Sequence, residues 1–154
     1  MFDRTNPETE LFEADIQNVV SAIEGIILGK PEQIRLAVTC LLAQGHCLIE
    51  DLPGVGKTTL SQTIAQVFGL NFSRIQFTSD LLPADILGVS IFDANQQVFN
   101  FHPAPVFSHF VLADELNRST PNTLIALLEL MEERQITVER ITHHYQSPVH
   151  DIGM

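Results

Sequence analysis

The chain has 154 residues, 45% of them apolar, which is enough to build one domain with a sizeable core. With 19 acidic against 8 basic residues the formal charge is −11, and the basic residues are dispersed, so no surface suits nucleic acid or an anionic membrane. The 2 cysteines, Cys40 and Cys47, have a spacing that fits two buried thiols in a reducing, cytoplasmic setting better than a disulfide or a metal site. No apolar run approaches the ~20 residues that would span a membrane, and the first residues carry no signal-like apolar core.

Glu10 to Ile27 places Leu11, Ala14, Ile16, Val19, Val20, Ile23 and Ile27 at helical spacing, which predicts an amphipathic helix. Gly29-Lys30-Pro31 breaks it, and Pro31 opens a second helix to Ala43. His46 to Glu50 then reads as a strand. It runs into Asp51-Leu52-Pro53-Gly54-Val55-Gly56-Lys57-Thr58-Thr59, a glycine-rich turn that opens a helix from Thr58 to Phe68, closed by Gly69. Such a turn cradles phosphate. Gly54 and Gly56 let backbone N–H groups approach a polyphosphate at a helix N-terminus, Lys57 reaches its outer phosphates, and the Thr58 hydroxyl ligates Mg²⁺. The strict motif has glycine where this chain has Asp51. An ordinary Gly/Pro turn is the bland alternative, and the strand and helix on either side argue against it.

Asn71 to Phe77 is predicted as the next strand, with one apolar side. Between Leu81 and Phe107, Pro83, Gly88, Pro103 and Pro105 forbid one long helix. Val89-Ser90-Ile91-Phe92 and Gln97-Val98-Phe99-Asn100-Phe101 flank Asp93-Ala94-Asn95-Gln96 as a hairpin with a four-residue turn. Phe110-Val111-Leu112-Ala113-Asp114-Glu115 is a buried strand that delivers two carboxylates at its end. Asp114 suits a metal held through its water shell, and Glu115 suits a base that polarises attacking water. Thr120-Pro121 begins a helix to Arg134 with Leu124, Leu127, Leu128 and Met131 inward. His143, His144 and His150 invite a metal reading, but a polar tail explains them without ligands of suitable spacing.

Three segments, Glu50 to Thr58, Leu112-Ala113-Asp114-Glu115-Leu116-Asn117-Arg118 and Leu127 to Gln135, resemble the MoxR family of AAA+ ATPases, over about Ile23 to Val138. The resemblance implies an α/β P-loop fold, a parallel sheet flanked by helices, with the hairpin inserted in the second helix. It implies ATP and Mg²⁺ as cofactors, and Asp51, Pro53, Gly54, Val55, Gly56, Lys57, Thr58 and Thr59 as the nucleotide-binding loop. Lys57 and Glu115 are then the catalytic residues, and Thr58 and Asp114 the metal ligands. It further implies a hexameric, chaperone-like machine that remodels or matures a client complex, often with a von Willebrand A-type partner.

Several roles follow from the resemblance alone. Gly29, with Ile27 and Leu28, is expected against the adenine, the alternative being the start of a helix hairpin. Gln76 or Thr78 is expected to hold Glu115 in an inactive orientation. Asn117 and Arg118 are placed at a switch or subunit interface, with a solvated arginine pairing a nearby acid as the plainer alternative. Ile91, Phe92, Phe99 and Phe101 either contact a client or neighbour, or pack. Ala104 departs from the family's glycine and fits only with negative φ.

The resemblance implies a domain of which residues 1–154 are part: helices over 9–44, a core over 46–134, Gln135 to Thr142 as a small hairpin, and a tail from about 148 that is no longer family-like. On this expectation the sensor strand, the trans-acting arginine finger, the fifth core strand and the lid are missing. The sheet order 5-1-4-3-2 would leave His46 to Glu50 without its usual strand partners, and weak nucleotide binding would follow. A non-catalytic remnant acting as an interaction module is the alternative function.

Overall fold

A computed structural model describes residues 7–50, 56–138 and 141–144. Helix α1 (Pro7–Glu24) and helix α2 (Pro31–Leu42) are joined by a turn in which Gly29 takes φ 77°. The sequence carries α1 to Ile27, but the chain turns at Gly25, and Ile27 packs on the core from outside the helix. Helix α3 (Lys57–Val67) leads through Gly69, at φ 66°, into strand β1 (Phe72–Gln76). The short helix α4 (Pro83–Leu87) was not legible as an element and begins on its proline. Strands β2 (Val89–Asp93) and β3 (Val98–His102) form the antiparallel hairpin. Its four-residue turn sits one residue later than expected, because the Asp93 Oδ1 accepts from the Asn95 and Gln96 N–H groups and Gln97 takes φ 56°. Strand β4 (Phe110–Asp114) and helix α5 (Pro121–Glu133) follow, and then a hairpin of β5 (Gln135–Val138) and β6 (Ile141–His144).

The centre is a two-stranded parallel sheet in which Phe72 pairs with Phe110 and Gln76 with Asp114. The alternating pleat sends successive β4 side chains to opposite faces. Phe110 and Leu112 join Val20, Ile23, Ile34, Val38, Leu60 and Ile64 in a core built by α1, α2 and α3. Val111 and Ala113 join Ile75, Phe77, Ile86, Val106, Leu127 and Leu130 in a second core beneath α4 and α5. The sheet is thus the middle layer of three. On α5, Thr120 caps the N-terminus by accepting from the Thr123 N–H, and the buried Thr123 hydroxyl donates to the Leu81 carbonyl. Leu127 is buried as expected, and Leu124 and Met131 are half-buried. Leu128 is a correction: it faces outward at 51% exposure, because the inward stripe runs Thr123, Leu127, Leu130. Ala104 adopts φ −90° and ψ 176°, the extended backbone open to alanine, and starts the 3₁₀ turn Pro105–Phe107.

His46 to Glu50 is the second correction: it forms no strand. Cys47 and Ile49 pack on the first core while His46, Leu48 and Glu50 are exposed, so the period-two alternation survives without a ladder. Among the described residues no backbone–backbone hydrogen bond involves 46–50, although the His46 ring lies 3.3 Å from the Met131 carbonyl. A strand needs a neighbour, and among the described residues none lies alongside this segment: β4 is paired with β1 along one edge only, and its other edge carries no strand.

Candidate functional site

Helix α3 begins at Gly56, whose φ of 86° and ψ of 21° a side chain would strain. Gly56 has no side chain to cap this N-terminus and the first turn of α3 holds no acid, so the positive end of the helix dipole is left uncompensated by a carboxylate of its own helix. Such an end fits an anion. At about 1.5 Å per helical residue and about 3.3 Å per strand residue, α3 and β1 have nearly equal lengths. The tight turn at Gly69 sets the end of α3 beside the start of β1, and both pack on the first core.

Asp114 closes β4, and the residue after it decides the local chemistry. An extended Glu115 would point to the face opposite Asp114. Instead it takes φ 60° and ψ 41°, a left-handed conformation rare for a side chain of this size. The kink brings its Oε2 to 3.4 Å from the Gln76 Nε2, which donates to it, and 3.3 Å from the Arg118 Nη1. Asp114 Oδ2 accepts from the Arg74 Nη2 at 2.6 Å. Arg74 and Gln76 lie on one face of β1, so two consecutive carboxylates are gathered on one side of the sheet, each with a donor from the adjacent strand.

Of the two residues expected at Glu115, Gln76 reaches it. Thr78 is engaged elsewhere: its hydroxyl and the Asp80 backbone N–H hold the Asp80 carboxyl below the ordinary range. Arg118, in the 3₁₀ turn Leu116–Arg118, pairs with Glu115 and is largely exposed, as is Asn117 beside it. Thr58 is half-buried in the first turn of α3 and Thr59 is exposed. Asp51, Pro53, Gly54 and Val55 lie outside the described residues, as does His150; the side chains of His143 and His144 are not described either. Among the described residues no cluster of His, Cys, Asp and Glu has the makings of a separate metal site.

Beside the α3 N-terminus lies a cavity of about 400 Å³ lined by Ile27, Leu36, Ala37, Cys47, Leu48, Ile49 and Leu60, with Lys30, Gln33, Glu50 and Lys57 among its polar residues. Ile27 faces it. Leu28 is 80% exposed and neither Leu28 nor Gly29 lines the wall, so Gly29 serves the turn. Burial, with a smaller contribution from Cys40, pushes the Cys47 thiol above its ordinary range; both cysteines are half-buried free thiols. The sequence reading missed Arg74. Its link to Asp114 spans 40 residues and requires the parallel register of β1 and β4.

Residues 46–153 match the model of the ATPase family associated with various cellular activities, AAA. The chain belongs to this family. The matched stretch takes in both the loop before α3 and the paired carboxylates, and it extends past Pro148. Within the AAA family its relatives mark the chain as MoxR-type. It is 39% identical over 133 residues to chaperone MoxR1 of Mycobacterium tuberculosis, covering 86% of this chain and 35% of that protein. It is 31% identical to the protein MoxR of Paracoccus denitrificans, over 86% of this chain and 40% of the relative. An uncharacterised Bacillus subtilis protein, YeaC, is 46% identical over 84% of this chain and 40% of its own length. The chain thus spans well under half the length of these curated relatives. The crystal structure of a presumed ATPase of Cytophaga hutchinsonii superposes with a TM-score of 0.76 at 36% identity, covering 94% of this AAA chain and 46% of that one. The architecture is therefore an α/β AAA+ P-loop fold, with the β2–β3 hairpin directly after α4. Among the described residues no helix is long and apolar enough to cross a membrane.

Proposed function

We propose that this MoxR-type chain binds ATP with Mg²⁺ and carries the hydrolytic carboxylates of an ATP-driven, chaperone-like protein of the cytoplasm. In this reading copies assemble into a ring, a hexamer as the family resemblance implies, and remodel or mature a client complex, with a von Willebrand A-type protein as a partner. The observation that supports it is the gathering of Asp114 and Glu115 on one side of the sheet, each met by a donor from β1, in a chain whose helix α3 opens on Gly56 at φ 86°.

Gly56 and the first N–H groups of α3, with the Lys57 ammonium, would hold the phosphates; the loop residues Asp51 to Val55 would complete the cradle. Thr58 and Asp114 would hold Mg²⁺, which when bound neutralises phosphate charge as the terminal phosphoryl group leaves. Glu115 would orient and polarise the attacking water. Gln76, whose amide already donates to Glu115, would hold that carboxylate away from the water at rest. Ile27 and the apolar wall of the cavity offer a surface for the base.

Calorimetric titration with ATP and turnover measurement test this assignment. Lys57→Ala should abolish binding, and Glu115→Gln should keep binding while removing hydrolysis, since its amide cannot serve as a base. Unchanged ATP affinity in Lys57→Ala would sink the assignment.

A further inference from the structure

Arg74 makes the shortest ion pair among the described residues, and neither the phosphate loop nor the hydrolytic pair accounts for it. Its Nη2 lies 2.6 Å from the Asp114 Oδ2, a charge-assisted bond at the short end of the usual range. Among the described residues nothing donates to the other oxygen of that carboxylate. Glu115 has its own cation in Arg118 at 3.3 Å. Two carboxylates and two guanidiniums therefore cancel formally at the end of β4.

We propose that Arg74 is a positioning counter-ion that makes metal binding at Asp114 conditional on nucleotide. The inference rests on the reading of Asp114 as the metal residue. Two uncompensated carboxylates on one face would attract a divalent cation on their own. With Arg74 on one oxygen of Asp114, an arriving dication meets a fixed positive charge a few ångströms away, at a site only partly shielded by solvent. The negative phosphates of a bound nucleotide would outweigh that repulsion, and the oxygen left without a donor then faces the metal. Arg74 reaches Asp114 from the opposite strand without using Asp114's own paired residue, Gln76, which is given to Glu115.

The test is titration of the metal alone, Mn²⁺ followed by electron paramagnetic resonance, on the full chain without nucleotide. The Arg74 side chain is 42% exposed, so Arg74→Gln opens no buried cavity, and circular dichroism confirms that each variant is folded. Arg74→Gln should bind Mn²⁺ at least about tenfold more tightly than the parent. Arg74→Lys, which keeps the charge, should stay near the parent. Adding Asp114→Asn to Arg74→Gln should erase the gain, placing it at this carboxylate. Equal or weaker Mn²⁺ binding in Arg74→Gln overturns the proposal, as does Arg74→Lys binding as tightly as Arg74→Gln. Because no nucleotide is present, the result is separate from the Lys57→Ala titration, which tests the phosphate site itself.

Discussion

Glu115 shows how much one backbone angle decides. Consecutive residues of a strand face opposite ways, and an extended backbone at this position would have sent Glu115 toward the core beneath α5, away from Asp114. A left-handed conformation of a non-glycine residue costs on the order of 1 to 3 kcal/mol. It is held here by the Gln76 amide and the Arg118 guanidinium. The carboxylate pair itself was legible in sequence, because two acids after an apolar strand are a compositional signal. The kink and the Arg74 contact were not, since both depend on what the adjacent strand presents. Cys47 offers a direct probe of the cavity wall. Its thiol is held above the ordinary range by burial, so less of it is thiolate near neutral pH. Alkylation by iodoacetamide should be slow at pH 7.5 and should accelerate only at pH values above those at which a free thiol ionises. ADP should slow it further, because Cys47 lines the cavity beside Lys57. Labelling at the rate of a free thiol, indifferent to ADP, would contradict both the burial and the position of the ligand.

Helix α5 illustrates which parts of an element a sequence specifies. Its start follows from Thr120 and Pro121, a side-chain cap and a residue preset for the first turn, and both behave as chemistry requires. Its inward stripe is less determinate, since Leu124, Leu127, Leu128 and Met131 all satisfy helical spacing and only the neighbouring layer chooses among them. The structure chooses Leu127, fully buried among Val111, Phe77 and Ile86, and leaves Leu128 outside. Leu127→Ala should therefore cost about 2 to 5 kcal/mol in denaturant unfolding. Leu128→Ala should stay within about 0.5 kcal/mol. Equal losses would mean that the helix is rotated from the orientation described. The hairpin was similarly legible in outline, and its turn slipped by one residue because the Asp93 side chain, rather than a glycine, organises it.

At the scale of the whole molecule, the alternation of His46 to Glu50 predicts a strand, and the pattern of burial is that of a strand, yet the ladder is missing. Periodicity reports which side chains go inward; it is silent about which backbone lies alongside. The expected consequence is a graded stability. The Phe110, Leu112 and Asp114 amides of β4, which point to the edge paired with β1, should show the slowest hydrogen exchange in the chain, close to the global unfolding limit. Amides of Leu48 to Glu50 should exchange orders of magnitude faster, by local opening. Comparable protection in the two segments would show that 46–50 has a backbone partner in solution.

The division of β4 between two cores also reaches beyond packing, into how substitutions combine. Val111 and Leu112 are covalent neighbours, yet one is buried with Leu127 and the other with Ile64. In a double-mutant cycle Val111→Ala and Leu112→Ala should therefore add to within about 0.5 kcal/mol. Val111→Ala and Leu127→Ala, 16 positions apart, should interact by about 0.5 to 3 kcal/mol through the cavity they share. Along this strand, thermodynamic kinship skips the adjacent residue and follows the layer, so a map of energetic coupling would divide the chain by sheet face and not by sequence distance.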